Sequence, residues 1–220
     1  MEVNELKGKK ILITAGPTCE KIDPVRFISN YSSGKQGYLI AETLASYGAE
    51  VILVTGPVSI PPPNNVTVIK IESADDMLAA CLKSLPVDVT ICTAAVVDFK
   101  PKFPLSFKLK KDPKVVDIPL ILTKNPDILA SIAKSEMRPK LVIGFALETQ
   151  DLIENSKIKL ETKECDFILA NELSADNMAF NTDDNAITII SKNSVVAWPK
   201  MSKKMIAEKL AEMLVQELQN

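Results

Sequence analysis

The strongest constraint on the fold is a set of short apolar runs that do not alternate. Lys10-Ile-Leu-Ile-Thr-Ala15, Glu50-Val-Ile-Leu-Val-Thr55, residues 87–95 and residues 141–146 are apolar at successive positions and rich in β-branched residues. A strand with one face in water alternates apolar and polar side chains; a strand covered on both faces has no need to. Segments with helical spacing lie between the runs, as at Tyr38, Leu39, Ala41, Leu44 and Ala45. Buried strands alternating with helices imply an α/β class: a doubly wound, mostly parallel, Rossmann-like sheet with helices on both faces. A chain of 220 residues, 46% hydrophobic, is long enough for one such domain.

The remaining elements follow from local signals. Residues 1–9 read as a polar tail or linker and 10–220 as a single domain. Residues 16–33 read as one long loop, of the kind that carries function in compact domains. A helix is expected from Gly34 to Tyr47 and a strand at 66–71. Ser73 then caps a helix running to about residue 84. The spacing predicts a short fifth strand at 119–122, followed by a helix with Pro126 near its first position. After the strand at 141–146 come a helix at 151–164 and a strand at 167–170. A C-terminal β-hairpin (185–191 with 195–198) supplies antiparallel edge strands, and a last amphipathic helix spans 202–218. Residues 98–118 carry Lys100, Lys102, Lys108, Lys110, Lys111 and Lys114 with no long apolar face, and read as a mobile flap.

Composition removes whole classes of chemistry. Histidine is absent, so no catalytic triad built on it and no imidazole-ligated metal is available. Cys19, Cys81, Cys92 and Cys165 form no CxxC pair, and their wide spacing favours free thiols. The net charge of −2 lacks the basic field of a nucleic-acid binder. No apolar stretch approaches the roughly 20 residues that span a bilayer, and the start shows no cationic-then-apolar signal. A cytoplasmic location is expected, with no nucleic acid or membrane partner.

Ligands of such sheets sit beyond the carboxyl ends of the strands. Ser32, Ser33 and Gly34 open a helix whose N–H groups and dipole favour phosphate; the plainer reading is an ordinary cap and tight turn. There is no GxxxxGK[ST] and no GxGxxG, which weakens P-loop and nicotinamide readings. Lys108, Lys110 and Lys111 are either a solvated charge run or a flap that closes over a triphosphate. Asp98 suits ribose, base or a metal, or simply a turn. Lys159 and Lys163 share a helix face. Arg26 suits a phosphate or carboxylate, and Asn30 an amide or oxyanion.

Taken in order, several segments resemble the phosphopantothenate–cysteine ligase family, the ligase domain of the bacterial coenzyme A biosynthesis bifunctional protein. They are Ile13-Thr-Ala-Gly-Pro-Thr18, Asp23-Pro-Val-Arg-Phe-Ile-Ser-Asn30, Ser32-Ser-Gly-Lys35, Ala94-Ala-Val-Val-Asp98, Lys108-Leu-Lys-Lys111, Lys124-Asn-Pro-Asp-Ile128, Gly144-Phe-Ala-Leu-Glu-Thr149, and Phe180 with Asp184-Asn185. Each is unspecific alone, but the ordered set covers nearly the whole chain.

The resemblance implies a ligase that joins 4′-phosphopantothenate to L-cysteine through an acyl-cytidylate. CTP would be the co-substrate with Mg²⁺, whose protein ligands the sequence does not reveal, and no flavin is expected in this chain. It implies that Lys108 contacts the nucleotide phosphates, Asn30 acts on the acyl-nucleotide and Arg26 meets the substrate phosphate. Gly16, Ser32, Ser33 and Gly34 would cradle phosphates. Ala94, Ala95, Asp98, Pro126, Asp127, Ile128, Leu129, Phe145, Lys159 and Lys163 match nucleotide-contacting positions. It also implies a homodimer, and association or fusion with a phosphopantothenoylcysteine decarboxylase. Cys19 and Gln36 depart from the family, which often has Arg and Met there. The alternatives are the same ligase using ATP, a nicotinamide-dependent Rossmann reductase, and a nucleotide-sensing module without turnover.

Overall fold

The computed structural model describes residues 4–111, 116–172 and 183–219. Its elements in chain order are β1 (Lys10–Ala15), β2 (Cys19–Lys21), β3 (Phe27–Ser29), α1 (Lys35–Ser46), β4 (Glu50–Thr55), β5 (Val66–Lys70), α2 (Ala74–Lys83), β6 (Val89–Cys92), β7 (Phe99–Pro101) and β8 (Leu122–Lys124). They continue with α3 (Ile128–Ala133), β9 (Leu141–Glu148), α4 (Leu152–Lys163), β10 (Phe167–Glu172), β11 (Asp184–Asn185), β12 (Thr188–Ser191), β13 (Val195–Ala197), β14 (Met201–Ser202) and α5 (Lys203–Gln219).

Eight strands form one sheet in the order β13-β12-β10-β9-β6-β1-β4-β5. The six from β10 to β5 pair in parallel, and β12 and β13 add antiparallel at the β10 edge. Chain direction across the sheet reverses between β1 and β6, which makes that crevice the topological switch point.

Both faces of the sheet are covered, as the non-alternating runs require. Ile11 and Ile13 of β1 pack with Ile40 and Leu44 of α1 and with Leu210 and Leu214 of α5. Leu12, between them, turns to the other face and packs with Met77 of α2 and Ile132 of α3. Val142 and Ile168 continue that second face beneath Leu160 of α4. Full burial of one such aliphatic side chain contributes about 1.5–3 kcal/mol, so removing Leu12, fully buried, would open a cavity between sheet and helices. The α2 start is a capping box: Ser73 Oγ accepts from Asp76 N (3.2 Å) and Asp76 Oδ2 accepts from Ser73 N (3.0 Å).

Four expectations change. The loop at 16–33 contains the antiparallel pair β2–β3. Within 1–9, Leu6 is buried and its N–H bonds to Tyr47 O (3.0 Å), so a single apolar residue docks a polar stretch onto the end of α1. The run 119–122 is no core strand. Leu122–Lys124 pairs instead with Phe99–Pro101, outside the main sheet, and Leu120, Ile121 and Leu122 are exposed. Pro126 precedes α3 rather than opening it; the cap is Asp127, whose carboxylate accepts from Ala130 N (3.0 Å). Lys114 of the flap and Phe180 lie outside the described residues.

Candidate active site

The reversal of direction at β1 and β6 leaves a crevice floored by two loops laced together. Ala95 N donates to Gly16 O (2.9 Å), and Thr93 Oγ1 to Thr14 O (2.7 Å). Thr14 and Thr18 hydroxyls receive Ala94 N (3.3 Å) and Val97 N (3.0 Å). Asn30 Nδ2 donates to both Ala95 O (3.1 Å) and Val96 O (3.2 Å). Both amide hydrogens of Asn30 are thereby engaged, which fixes its amide plane at the crevice.

Two clefts open on this floor. The larger, ≈ 700 Å³, is lined by Asn30, Ala94, Ala95, Asp98, Pro126, Asp127, Ile128, Leu129, Phe145, Lys159 and Lys163, all expected from the sequence. Asn125, which was not singled out, also lines it. Its Nδ2 donates to Val97 O (2.7 Å) and its N–H to Asp98 O (2.8 Å), so it joins the loop before α3 to the loop after β6. The two lysines of α4 reach carboxylates here: Lys159 pairs with Glu148 (2.6 Å) and Lys163 with Asp127. These cations are already held at one end of the cleft before any ligand arrives.

The smaller cleft, ≈ 190 Å³, lies at the start of α1. Ser32, Ser33, Gly34, Lys35, Gln36 and Gly37 form one side and Thr93, Asn171, Asn185 and Lys203 others. It shares Ala94, Ala95, Phe145, Ala146 and Leu147 with the larger cleft, so the two adjoin across a common wall. Gly34 caps α1 at φ 76°, a left-handed conformation that other residues rarely adopt, and makes no side-chain cap bond. Ser32 Oγ accepts from Gly34 N (3.3 Å) and Ser33 Oγ from Lys35 N (3.4 Å), which leaves later N–H groups of the first turn for a ligand. Gly37 is required by close approach: a Cβ there would lie 2.4 Å from Thr93 Oγ1 and 2.6 Å from Ala15 Cβ. Gly16 sits beneath this turn, its Cα 3.3 Å from where a Cβ on Gly34 would stand.

The remaining expected residues stand apart. Arg26 and Lys108 line neither cleft. Asp23, buried in the first loop, accepts from Val25 N (2.8 Å), Arg26 N (2.9 Å), Arg26 Nε (3.0 Å) and Leu109 N (3.1 Å). The Arg26 guanidinium, and then these backbone donors, hold its carboxyl well below the usual carboxylate range. Arg26 also donates to Leu109 O (2.9 Å), and Leu105 N to Ile22 O (2.9 Å). The described part of the flap is thus strapped to the first loop, with Lys108 exposed beside the anchor Leu109.

Burial raises the Cys92 thiol, which lines the larger cleft, and pushes Cys81 and Cys165 up to about 12. These are packing groups rather than nucleophiles. Among the described residues no three acidic or cysteine side chains converge on a metal position. Asn125, Asn171 and Lys203 are among the cleft residues to which the sequence analysis gave no individual role. Asn171 lies at the carboxyl end of β10, where the strand-end rule would have found it.

The chain is similar to several characterised proteins. It is 43% identical over 211 residues to the coenzyme A biosynthesis bifunctional protein CoaBC of Vibrio vulnificus (strain CMCP6), across 95% of this chain and 52% of the relative. It is 42% identical over 190 residues to the protein of that name from Bacillus subtilis (strain 168), across 86% of this chain and 46% of the relative. The chain therefore spans about half the length of the curated relatives it matches. Among solved structures it resembles the C-terminal domain of a coenzyme A biosynthesis bifunctional protein CoaBC, with TM-score 0.82, 41% identity and 98% of both chains covered. A Cab2 mutant in complex with phosphopantothenate-cysteine shares the fold, with TM-score 0.74, 18% identity and 96% and 89% of the two chains covered. Residues 6–218 match one family along almost their whole extent, and the chain belongs to it: the DNA/pantothenate metabolism flavoprotein C-terminal domain family.

Proposed function

We propose that this domain joins 4′-phosphopantothenate to L-cysteine with a nucleoside triphosphate as co-substrate, CTP in preference to ATP. The observation that carries the reading is the pair of clefts adjoining across Ala94, Ala95 and Phe145 at the β1/β6 crevice. One is large and holds lysines at its edge; the other is small and opens onto the bare first turn of a helix. A nucleotide seated with its base and ribose in the larger cleft and its phosphates toward α1 would set its α-phosphate near the shared wall.

In this reading the substrate carboxylate attacks the α-phosphorus, and pyrophosphate leaves with the electron pair of the broken P–O bond. The cysteine amine then attacks the acyl-nucleotide carbonyl and CMP departs. Nucleotidylation supplies the leaving group, and positioning with charge stabilisation supplies much of the rest. Asn30 suits the second step. Its Nδ2 hydrogens are spent on Ala95 O and Val96 O, so the group it offers is the acceptor Oδ1, which can orient the attacking amine. Lys108 acts when the flap covers the phosphates, and Arg26, tethered to Asp23, meets the substrate phosphate at the flap's edge. Ser32, Ser33 and Gly34 hold the phosphates, and Mg²⁺ enters with the triphosphate.

A homodimer belongs to this reading. Val25, Phe27 and Tyr31 of the first loop and Phe99, Phe103 and Phe107 of the flap are exposed apolar side chains on strapped-together segments, a surface suited to a second copy. Association with a decarboxylase is proposed from the relatives' bifunctional names.

The test is incubation of purified protein with 4′-phosphopantothenate, Mg²⁺ and CTP or ATP, with and without cysteine. Pyrophosphate that depends on phosphopantothenate, with a cysteine adduct only when cysteine is present, is the expected result. A folded protein that turns over neither nucleotide refutes it.

A further inference from the structure

Two lysines of α4 line the larger cleft, and their carboxylates hold them in different ways. Lys163 donates a hydrogen bond to Asp127 Oδ2, the carboxylate that also caps α3. Lys159 Nζ stands 2.6 Å from Glu148 Oε1 but outside the directional range of a hydrogen bond, and Oε1 accepts none from any described residue. The contact is one of charge. Lys159 therefore borders the cleft with its N–H donors uncommitted among the described residues.

Glu148 does not itself line the cleft. It is the last residue of β9, and its side chain is only 11% exposed. Its other oxygen, Oε2, accepts from Asn155 Nδ2 (3.4 Å), which also donates to Gln150 O (3.0 Å). Asn155 and Lys159 are four residues apart on α4 and share a face. The end of β9, the turn after it and that face of α4 are thus tied together at Glu148. A free lysine chain samples many rotamers, and ordering it during binding costs affinity. The charge contact with Glu148 orders Lys159 beforehand. It also matches the ammonium's charge, so what Lys159 offers a ligand is hydrogen-bond donors more than net charge.

We propose that Glu148 is a positioning residue for nucleotide binding. It holds the Lys159 ammonium in place with its charge matched and its donors free, so that Lys159 serves the base or ribose rather than the phosphates. The identity of the ligand rests on the ligase reading; the preset lysine does not. Two effects follow. The cost of ordering a long side chain is removed from the binding step. A charge-matched ammonium also has little pull on a free anion, so pyrophosphate does not settle at this end of the cleft in place of the base.

Calorimetry on the purified chain tests this with CMP and inorganic pyrophosphate as probes, comparing wild type with Glu148→Gln, Lys159→Met and the double variant. Glu148→Gln should lower CMP affinity about 3- to 10-fold, the ordering cost of one long side chain, without lowering pyrophosphate affinity. Lys159→Met should lose about 10- to 100-fold for CMP. The double variant should match Lys159→Met, because without the lysine Glu148 has nothing to place. In turnover with CTP, Glu148→Gln should raise KM by about the same 3- to 10-fold and leave kcat within about twofold, the pattern of lost uniform binding. A merely structural Glu148 would weaken CMP and pyrophosphate together and would do so in the Lys159→Met background as well. Unchanged CMP affinity in folded Glu148→Gln overturns the proposal, as does a further loss in the double variant or a wild type that binds no CMP. Should Glu148→Gln fail to fold, a crystal structure of wild type with CMP decides. Lys159 Nζ bonded to the base or ribose while within about 4 Å of Glu148 supports it; Nζ drawn away to the phosphate refutes it. CMP binding with this dependence, in a protein that does not join phosphopantothenate to cysteine, leaves the positioning role standing while the ligase reading falls.

Discussion

Replacing Gly37 by Ala probes how tightly α1 must approach the sheet for the smaller cleft to exist. Helix propensity alone favours Ala by up to about 1 kcal/mol. Against it, the new Cβ would lie 2.6 Å from Ala15 Cβ and 2.4 Å from Thr93 Oγ1. Ala15 has no rotamer through which to yield, and Thr93 Oγ1 is committed to Thr14 O. Helix α1 must therefore move outward by roughly 1 Å, at an overpacking cost of about 1–3 kcal/mol. Against the propensity gain the clash leaves a net loss of up to about 2 kcal/mol. For a chain of this size that lowers Tm by up to about 8 °C. The displaced helix start also moves away from the proposed phosphate position, and if the ligase reading holds, a shift of that size costs up to about 100-fold in turnover.

Differential scanning calorimetry and pyrophosphate release, measured on the same preparation, read both effects. Gly144→Ala serves as the comparison. Its Cβ would meet Leu129 Cδ2 at 2.5 Å and Ile168 Cδ1 at 2.9 Å, both ends of rotatable side chains, so its loss of stability is smaller. A Gly37→Ala protein with Tm equal to or above wild type would mean that propensity wins, and the close approach would not constrain α1 as described.

Three further outcomes are expected. Asp23 is held below its ordinary pKa in the fold, so the stability it contributes is complete above about pH 4 and lost as pH falls through the depressed value. The Tm gap between wild type and Asp23→Asn should therefore be constant from about pH 5 to pH 8 and narrow only in acid; a gap that closes as pH rises would contradict the pairing with Arg26. Cys81 and Cys165, both buried and raised by that burial, should resist a thiolate-specific reagent at about pH 8 until the chain unfolds, and rapid native labelling at either refutes that burial. Sedimentation should give twice the 24.1 kDa chain mass, with Phe27→Asp together with Phe103→Asp shifting it to monomer; wild type already monomeric at about 10 µM would argue against the apolar hairpins as an interface.

The main sheet was legible from two signals. The runs at β1, β4, β6 and β9 are apolar at successive positions, and β5 and β9 each lead directly into a helix. The small antiparallel pairs β2–β3 and β7–β8 have neither signal. Three-residue strands such as Cys-Glu-Lys and Phe-Lys-Pro are too short to show a period. Leu120, Ile121 and Leu122 misled because an apolar run says that a segment prefers to be covered, not that its own chain covers it. At the site, the segments ending the parallel strands were found by rule, and the resemblance sorted them. Lys203 could not be found that way. It reads as the first of two lysines opening an amphipathic helix, and the fold buries it next to the β11–β14 pair. Asn125 was hidden likewise, because its contribution is to hold Val97 and Asp98 rather than to carry charge.

The laced floor of the crevice has an evolutionary corollary. Between Thr93 and Val97 the chain is held almost entirely through main-chain groups, gripped by Thr14, Gly16, Thr18 and Asn30. Those bonds do not depend on which small side chain stands at 94, 95 or 96. They do depend on the count of residues between the anchors. Homologues should therefore drift freely among small residues along this stretch and almost never gain or lose a position. An insertion of one residue would put carbonyls where N–H groups now stand, and would unmake the floor of both clefts at once.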